Sequence, residues 1–584
     1  MCIRIAVIDS NVDLEHSLIR DANIVVHGED QNRDKNYLHG TTICYEIYKQ
    51  VRDIEIHLFP IINNSVSPEG VIDALNRIYL SDVFYDVINM SFGFSDPSYH
   101  EQIDSICRKL EEKGTILVSA FNNWGIMTYP ACLDSVIGVD LYNGKDNIKN
   151  YVYLNDKCIN IMANRKQSIM ATEKGTSIAT STSQFTAHIS GIIARYMYET
   201  GNRKKELILE YLKENADKVV ETNTVELKHF NGDYGKCMVF PYNKEIQALI
   251  NLEQYFSGSL KGIYDFKYSK YIGKEICIGE KTYRISNIEK ADIEQYDTVI
   301  IGHLDKYDEH LVCKVLDLII QKCIRLNKRI YTLDGFIRSK YGHMDNINLI
   351  EPCIQKENVS VGQGGKMWSV GVPVVAVVGT NPHQGKFTSQ IFLKQNLEKK
   401  GYNTGFISTE PTGYLFGADY VFPYGYNADM NISYDDYPVV INEMIYRSYC
   451  KKRDIIITGL QSGLLPVNYN NIGQNTYIQH AVMFGVNPDV IILCVSMEDS
   501  ISLVKRTVQS CSNIYQADVM GILLYPVRRE ISPSGNTKYS EETDSSILAD
   551  RVREIKNHID IPIYIMNVEG YESITNDLIE LLSD

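Results

Sequence analysis

The sequence predicts an α/β protein built from parallel sheets and divided into several domains. Apolar runs of strand length recur along the chain, at residues 5–8, 374–378 and 490–495. A run that is apolar at every position suits a strand buried on both faces, the situation inside a parallel sheet. Helical segments lie between these runs, and strand–helix alternation folds as an open sheet with helices on both faces. The 584 residues are also too many for one core, at roughly 100–200 residues per domain.

The elements follow in order. Residues 5–8 and 55–61 read as the first strands. Ser67 then caps a helix whose first position is Pro68, the place where a missing N–H costs nothing. Residues 87–90 and 115–120 are further strands, with a helix across 99–112 between them, and a helix over 204–216 closes the block. The polar, Gly-containing stretch 222–234 is a linker. A second block has strands at 236–241, 297–301 and 329–333 and helices at 244–255 and 310–325. VSVGQGGK at 359–366 is Gly-rich and breaks regular structure. The third block places strands at 373–378, 404–407, 454–457, 489–494 and 519–524, and the polar stretch 530–546 reads as a loop. The expected domains are therefore 1–220, a small central Rossmann-like α/β domain at 236–350, and 367–584.

Composition narrows the function. Apolar residues make up 44% and charged residues 22%, as in ordinary globular chains. No apolar run approaches the ~20 residues of a membrane-spanning helix, and the run at 5–8 stops at Asp9, too short for a signal peptide. The expectation is a cytoplasmic protein with no membrane partner. A net charge of −15 argues against nucleic acid as a partner. The 13 cysteines include no C-x-x-C pair, so reduced thiols are expected. Nothing in the sequence assigns a metal site or an oligomeric state.

Three residues carry chemistry together that none carries alone. Asp9 ends an apolar strand in AVIDS, at the sheet rim where sites form. His39 lies in HGTT before a helical stretch, and Ser183 in STSQFTAHISG leads into an apolar helix. Singly, these read as a turn residue, a surface histidine and a helix cap. Jointly they supply what acyl transfer by a serine needs: a nucleophile, a base to take its proton, and an acid to orient that base. The order Asp, His, Ser is one of several convergent arrangements.

At these residues the first 200 positions resemble the subtilisin-like serine proteases. AVIDSNVDLEH is similar to the family's Asp motif, HGTTICYEI to HGTxVAG and STSQFTAHISG to GTSMAxPHVAG. The resemblance implies that Asp9, His39 and Ser183 form the triad. It implies that Ser91, Phe92 and Gly93 of VINMSFG wall the substrate cleft, and that Asn123, counted back from Gly125, donates to the oxyanion. The sequence departs at Asn122 and Ser181, where the family has Gly, and at Ala187, where it has Pro. Ser177 in GTSIA imitates the motif more literally, but the HISG that should follow at fixed distance fits Ser183. With Asp9 so close to the first residue, no propeptide is expected, which points to an intracellular processing enzyme. Proteolysis itself needs no cofactor.

A second constellation is VVAVVGTNPHQGKFTSQ, a strand, a loop and a helix. Glycines let backbone amides approach phosphate, a lysine supplies charge, and the helix start adds its dipole. Gly379, Thr380, Gly385, Lys386 and Thr388 are the candidate binding residues, for ATP or GTP with Mg²⁺. Five residues separate the glycines and Phe387 follows the lysine, so Thr388 or Ser389 would have to serve the metal. The loop resembles that of dethiobiotin synthetase-like P-loop proteins, and more so a related family reading GTDxxxGKxTT that is linked to amino-acid racemisation. FISTEPTGYLFG and DIIITGLQSGLLP resemble two later segments of that family. The acidic residue expected in the second is Thr458, with Glu410 as a substitute.

The block from Cys237, with MVFPYNKEIQALINL and VIIGHL, resembles proteins of bacterial peptide-maturation systems. That resemblance implies trimming of a leader from a ribosomally made precursor peptide. Two other readings stay open: a decayed protease serving as a peptide- and nucleotide-binding scaffold, and a bifunctional enzyme that activates a carboxylate with ATP.

Overall fold

In the computed structural model the chain separates into two units, Met1–Val225 with Val359–Gly371, and Glu226–Asn358 with Val372–Asp584. The structure describes residues 2–583 apart from 29–37, 62–66, 124, 143, 145, 156–157, 174, 222–226, 231, 279–280, 306, 360–364, 426–428, 467–469, 471–475 and 532–536. Parts of the expected linker at 222–234 and of the Gly-rich stretch at 359–366 thus lie outside the described residues.

The first unit runs β1 (Ile3–Asp9), β2 (Ile24–Val26), α1 (His39–Tyr48), β3 (Ile54–Pro60), α2 (Pro68–Leu80), β4 (Val87–Met90), α3 (His100–Glu112), β5 (Ile116–Ala120) and β6 (Val136–Leu141). It continues through β7 (Tyr151–Asn155), β8 (Ile161–Ala163), β9 (Ser168–Thr172), β10 (Gly175–Ala179), α4 (Thr182–Thr200), α5 (Lys205–Glu214) and β11 (Lys218–Glu221). Among the described residues its main sheet has the order β11-β7-β8-β6-β5-β4-β1-β3-β2. β1 is an interior strand, parallel to both β3 and β4. This explains the unbroken apolar run. Ile5 and Val7 pack with Ile43 and Ile47 of α1 and Ile189 and Ile193 of α4. Ala6 and Ile8 pack on the other face with Val71 and Leu75 of α2 and Ile103 of α3. β9 and β10 form a separate antiparallel hairpin.

The second unit begins with β12 (Lys236–Phe240), α6 (Lys244–Asn251), β13 (Ser259–Asp265), β14 (Glu275–Ile278), β15 (Lys281–Asn287), β16 (Thr298–Ile301), α7 (Glu309–Arg325), β17 (Arg329–Thr332), α8 (Gly335–Tyr341), β18 (Asn348–Ile350) and β19 (Cys353–Ile354). Then come β20 (Val374–Gly379), α9 (Lys386–Lys399), β21 (Thr404–Ser408), β22 (Tyr420–Val421), β23 (Asp429–Met430), α10 (Tyr437–Tyr449), β24 (Ile455–Gly459), α11 (Tyr477–Val486), β25 (Val490–Ser496), α12 (Ile501–Tyr515), β26 (Asp518–Tyr525), β27 (Val527–Ile531), β28 (Thr537–Glu541), α13 (Ser545–Lys556), β29 (Ile563–Ile565) and α14 (Val568–Ser583). Among the described residues it holds two seven-stranded sheets, β14-β15-β13-β12-β16-β17-β18 and β22-β21-β24-β20-β25-β26-β29, and the two-stranded pairs β19-β23 and β27-β28.

The expected α/β class with parallel-sheet blocks is what the structure shows. The stretch 530–546 departs from its reading as a loop: β27 and β28 pair antiparallel there. Polar sequence hid them, because a two-stranded ribbon needs no continuous apolar face. All 13 cysteines are free thiols. Among the described residues no helix is long and apolar enough to cross a membrane.

Candidate functional site

Asp9 sits at the C-terminal end of β1 with no exposed surface. Its Oδ1 accepts hydrogen bonds from the Ser10 N–H and from His39 Nδ1, each at 2.7 Å. His39 is the first residue of α1, and its side chain is 37% exposed, so the imidazole lies at the rim while its partner lies in the core. Local packing forces this pairing. The Gly40 N–H donates to Ser10 Oγ at 2.8 Å, and a Cβ on Gly40 would fall on Ser10 O and 2.7 Å from Asn11 O. Only glycine lets the start of α1 lie this close to the end of β1. Burial disfavours the His39 imidazolium, but the Asp9 charge and hydrogen bond together outweigh it and raise His39 above its ordinary value.

Ser183 is the second residue of α4. The cap is Ser181, whose Oγ accepts from the Gln184 N–H at 3.2 Å. The Ser183 hydroxyl donates to Ser91 O at 2.9 Å, and Ser91 Oγ donates to Ser183 O at 3.1 Å. Asn89 Nδ2 donates to Ser91 Oγ and Ser190 Oγ to Asn89 Oδ1, so polar side chains stitch α4 onto the end of β4. α1 and α4 pack against each other where Gly191 faces Ile47 O and Gln50. The structure thus brings Asp9 to His39 and Ser183 to Ser91. Among the described residues the Ser183 hydroxyl is directed at Ser91 O, not at His39. Ser177 lies on the exposed strand β10, paired with Met170 of β9.

Asn123 follows β5 and is exposed; its Oδ1 accepts from Thr182 Oγ1 at 3.2 Å, one residue before Ser183. Ser91 and Phe92 are buried just beyond β4. Phe92 O accepts from Ser119 Oγ of β5 at 3.3 Å, and Phe94 and Tyr129 exchange N–H···O bonds of 3.0 and 2.8 Å. Ser91, Phe92 and Gly93 therefore run along the rim between Ser183 and the Asn123 loop.

In the second unit Gly379 ends β20 and Gly385, at φ 71°, precedes α9. Lys386 is buried and its Nζ donates to Asn381 O at 2.7 Å. Burial pulls its ammonium down to about 8. Thr380 is buried at the start of the loop. The order of the loop comes from a residue that sequence reasoning missed. Asp499 is buried just beyond β25 and accepts from Asn381 Nδ2, Gln384 Nε2 and the Ser496 N–H at 2.7, 2.8 and 2.8 Å. Thr380 Oγ1 also bonds to it. The sequence signal is weak, since Asp499 lies three residues beyond the strand end and follows another acid, Glu498, whereas Asp9 is the last residue of β1. Phe387 turns into the core, 5.5 Å from the Phe416 ring. Ser389 Oγ is buried, donates to Gly385 O at 2.9 Å and bonds Tyr571 OH, while Thr388 beside it is half-buried. Thr458 is buried in β24, and its hydroxyl has no partner among the described residues. Among the described residues no group of three or more His, Cys, Asp or Glu could hold a metal ion.

Comparison with known proteins matches this chain to two families. Residues 2–235 match the model of the subtilase family, and residues 361–517 that of a P-loop domain of unknown function, DUF1611_C. Among solved structures the chain is similar to a DUF1611 family protein from Anabaena variabilis, at 13% identity and TM-score 0.44, covering 59% of this chain and 99% of that one. It is also similar to the nisin leader peptidase NisP from Lactococcus lactis, at 15% identity and TM-score 0.30, covering 38% and 85%. The prenylagaramide maturation protease PagA is similar at 17% identity and TM-score 0.30, covering 39% and 85%. No curated protein matches.

Proposed function

From an N-terminal region of the subtilase family and a C-terminal DUF1611 P-loop region, we propose that the chain is a subtilisin-type serine endopeptidase with a nucleotide-binding module. The observation that carries the reading is the 2.7 Å bond from His39 Nδ1 to the fully buried Asp9. It fixes the tautomer that leaves Nε2 free to accept a proton. Ser183 then serves as nucleophile once its hydroxyl turns from Ser91 O to His39. Asn123 Oδ1 is taken by the Thr182 hydroxyl, so its NH₂ is the end left to meet an oxyanion, together with the Ser183 N–H at the start of α4. Ser91, Phe92 and Gly93 hold the substrate backbone.

The finer reading is limited cleavage of a precursor peptide, with removal of its leader, in a peptide-maturation system. The Ser183 hydroxyl bonded to Ser91 O supports it, since a nucleophile held in reserve engages when a bound peptide displaces that contact. In the second unit the residues fit a phosphate group. Lys386 is a buried cation whose hydrogen-bond acceptor among the described residues is a neutral carbonyl, and an anion would satisfy it better. Lys386, Thr380 and the N–H groups from Gly385 into α9 would hold ATP or GTP, with Thr388 toward a Mg²⁺ ion. Such a ligand supplies binding energy that can bias the module between states. Without a carboxylate at Thr458, binding is the better-supported role than turnover.

Fluorophosphonate labelling of the full chain tests the peptidase. Labelling in wild type and Ser177→Ala, lost in Ser183→Ala, is expected. No labelling of wild type would remove the reading in favour of a peptide-binding scaffold.

A further inference from the structure

The stretch that leads into β20 packs with the first unit. Lys366 and Asp140, which lies on β6, form an ion pair whose side chains are 5% and 6% exposed. The Lys366 ammonium also stands 5.8 Å from the centre of the Phe121 ring. Next to it, Met367 O accepts the Met127 N–H at 3.0 Å, and Met367 pairs with Ile126 in a parallel bridge. Trp368 packs on the apolar cluster that contains Phe121 and Met127. These contacts converge on the short loop that begins at Asn123. Ile126 lies only three residues beyond Asn123, at most ~11 Å of extended chain. Whatever fixes Ile126 and Met127 therefore limits where Asn123 can be.

A buried ion pair is a poor way to gain stability, because both charges must be stripped of water. It is a good way to set register, because any other placement of the lysine leaves a buried carboxylate alone. We infer that Lys366 is a positioning residue for the peptidase site. Paired with Asp140, it seats Met367 against the Asn123 loop, and the oxyanion donor is aligned when this stretch is docked. The inference rests on the role proposed for Asn123.

The test uses the full chain carrying Lys366→Met, and Lys366→Met with Asp140→Leu, which leaves no charge unpaired and so preserves the fold. Two readouts apply: hydrogen exchange of the Met127 amide, and the rate of fluorophosphonate labelling at Ser183. In both variants exchange at Met127 should rise and labelling should slow, each about tenfold, as for loss of one buried hydrogen bond. In an Asn123→Ala background, already slower by ~10²–10³, Lys366→Met should slow labelling no further. Unchanged exchange in the folded double variant would overturn the inference. So would an equal slowing with and without Asn123, because that is what general loosening of the unit produces. If wild type is not labelled, the peptidase reading fails, and exchange at Met127 still decides whether Lys366 seats the loop.

Discussion

Asp9→Asn separates charge from orientation at the candidate triad. Asp9 Oδ1 receives both the Ser10 N–H and His39 Nδ1 at 2.7 Å. An asparagine of the same shape keeps its oxygen there, because turning the amide would set its NH₂ against the Ser10 N–H. His39 should then keep its tautomer and lose only the negative charge opposite the imidazolium that forms during attack. Two unit charges ~4 Å apart at an effective dielectric near 20 interact by about 4 kcal/mol, or roughly 10³ in rate. Asp9→Ala, which also removes the orienting bond, should lose more. The assay is the pH dependence of fluorophosphonate labelling. Asp9 holds His39 above its ordinary value of 6.5, so neutral base appears in wild type only above that pH. In Asp9→Asn the acid limb should move to lower pH. The same pairing contributes stability that is complete below pH 6.5 and fades as pH rises through the folded-state value of His39. A loss within tenfold would refute the role of Asp9, and an acid limb that stays in place would refute the electrostatic argument.

Asn123→Ala should lower turnover by ~10²–10³ with little change in KM, measured on a fluorogenic peptide that the wild type cleaves. Gly40→Ala drives a Cβ into Ser10 O; it should cost about 1–3 kcal/mol in chemical denaturation and slow labelling by displacing His39. Lys386, held down to about 8, must be protonated to meet a phosphate, so nucleotide binding should take up protons near pH 8 and weaken above it. Calorimetry in buffers of different ionisation enthalpy reads that uptake, which Lys386→Met should abolish. Asp499→Ala removes the acceptor shared by the side chains of Thr380, Asn381 and Gln384; it should destabilise the second unit by about 1–3 kcal/mol and weaken nucleotide binding.

The residues that were legible in the sequence are those whose signal is local. Asp9 stood out because it ends an apolar run, and the structure places it at the end of an interior strand. The choice of Ser183 over Ser177 rested on spacing, and the two now lie on a helix start bonded to Ser91 just beyond β4 and on an exposed hairpin strand. Asp499 lies three residues past the end of β25, and its meaning depends on donors 115 to 119 positions away, so nothing nearby marked it. Lys366 was less visible still, since its carboxylate partner lies 226 positions earlier. The polar hairpin strands β27 and β28 and the half-exposed β15 escaped because they lack the continuous apolar pattern that marks a buried strand.

By itself, then, the sequence determined the α/β class, the alternation of strands and helices, the order Asp9, His39, Ser183 and the glycine-flanked loop before α9. Each depends on neighbouring residues alone: periodicity, capping, and the steric freedom of glycine. Tertiary structure decided which polar groups meet. It pointed the Ser183 hydroxyl at Ser91 O, gathered the loop side chains around Asp499, and set Lys366 on Asp140. Those pairings follow from burial, because a charge or donor taken out of water must find its partner wherever the folded chain supplies one.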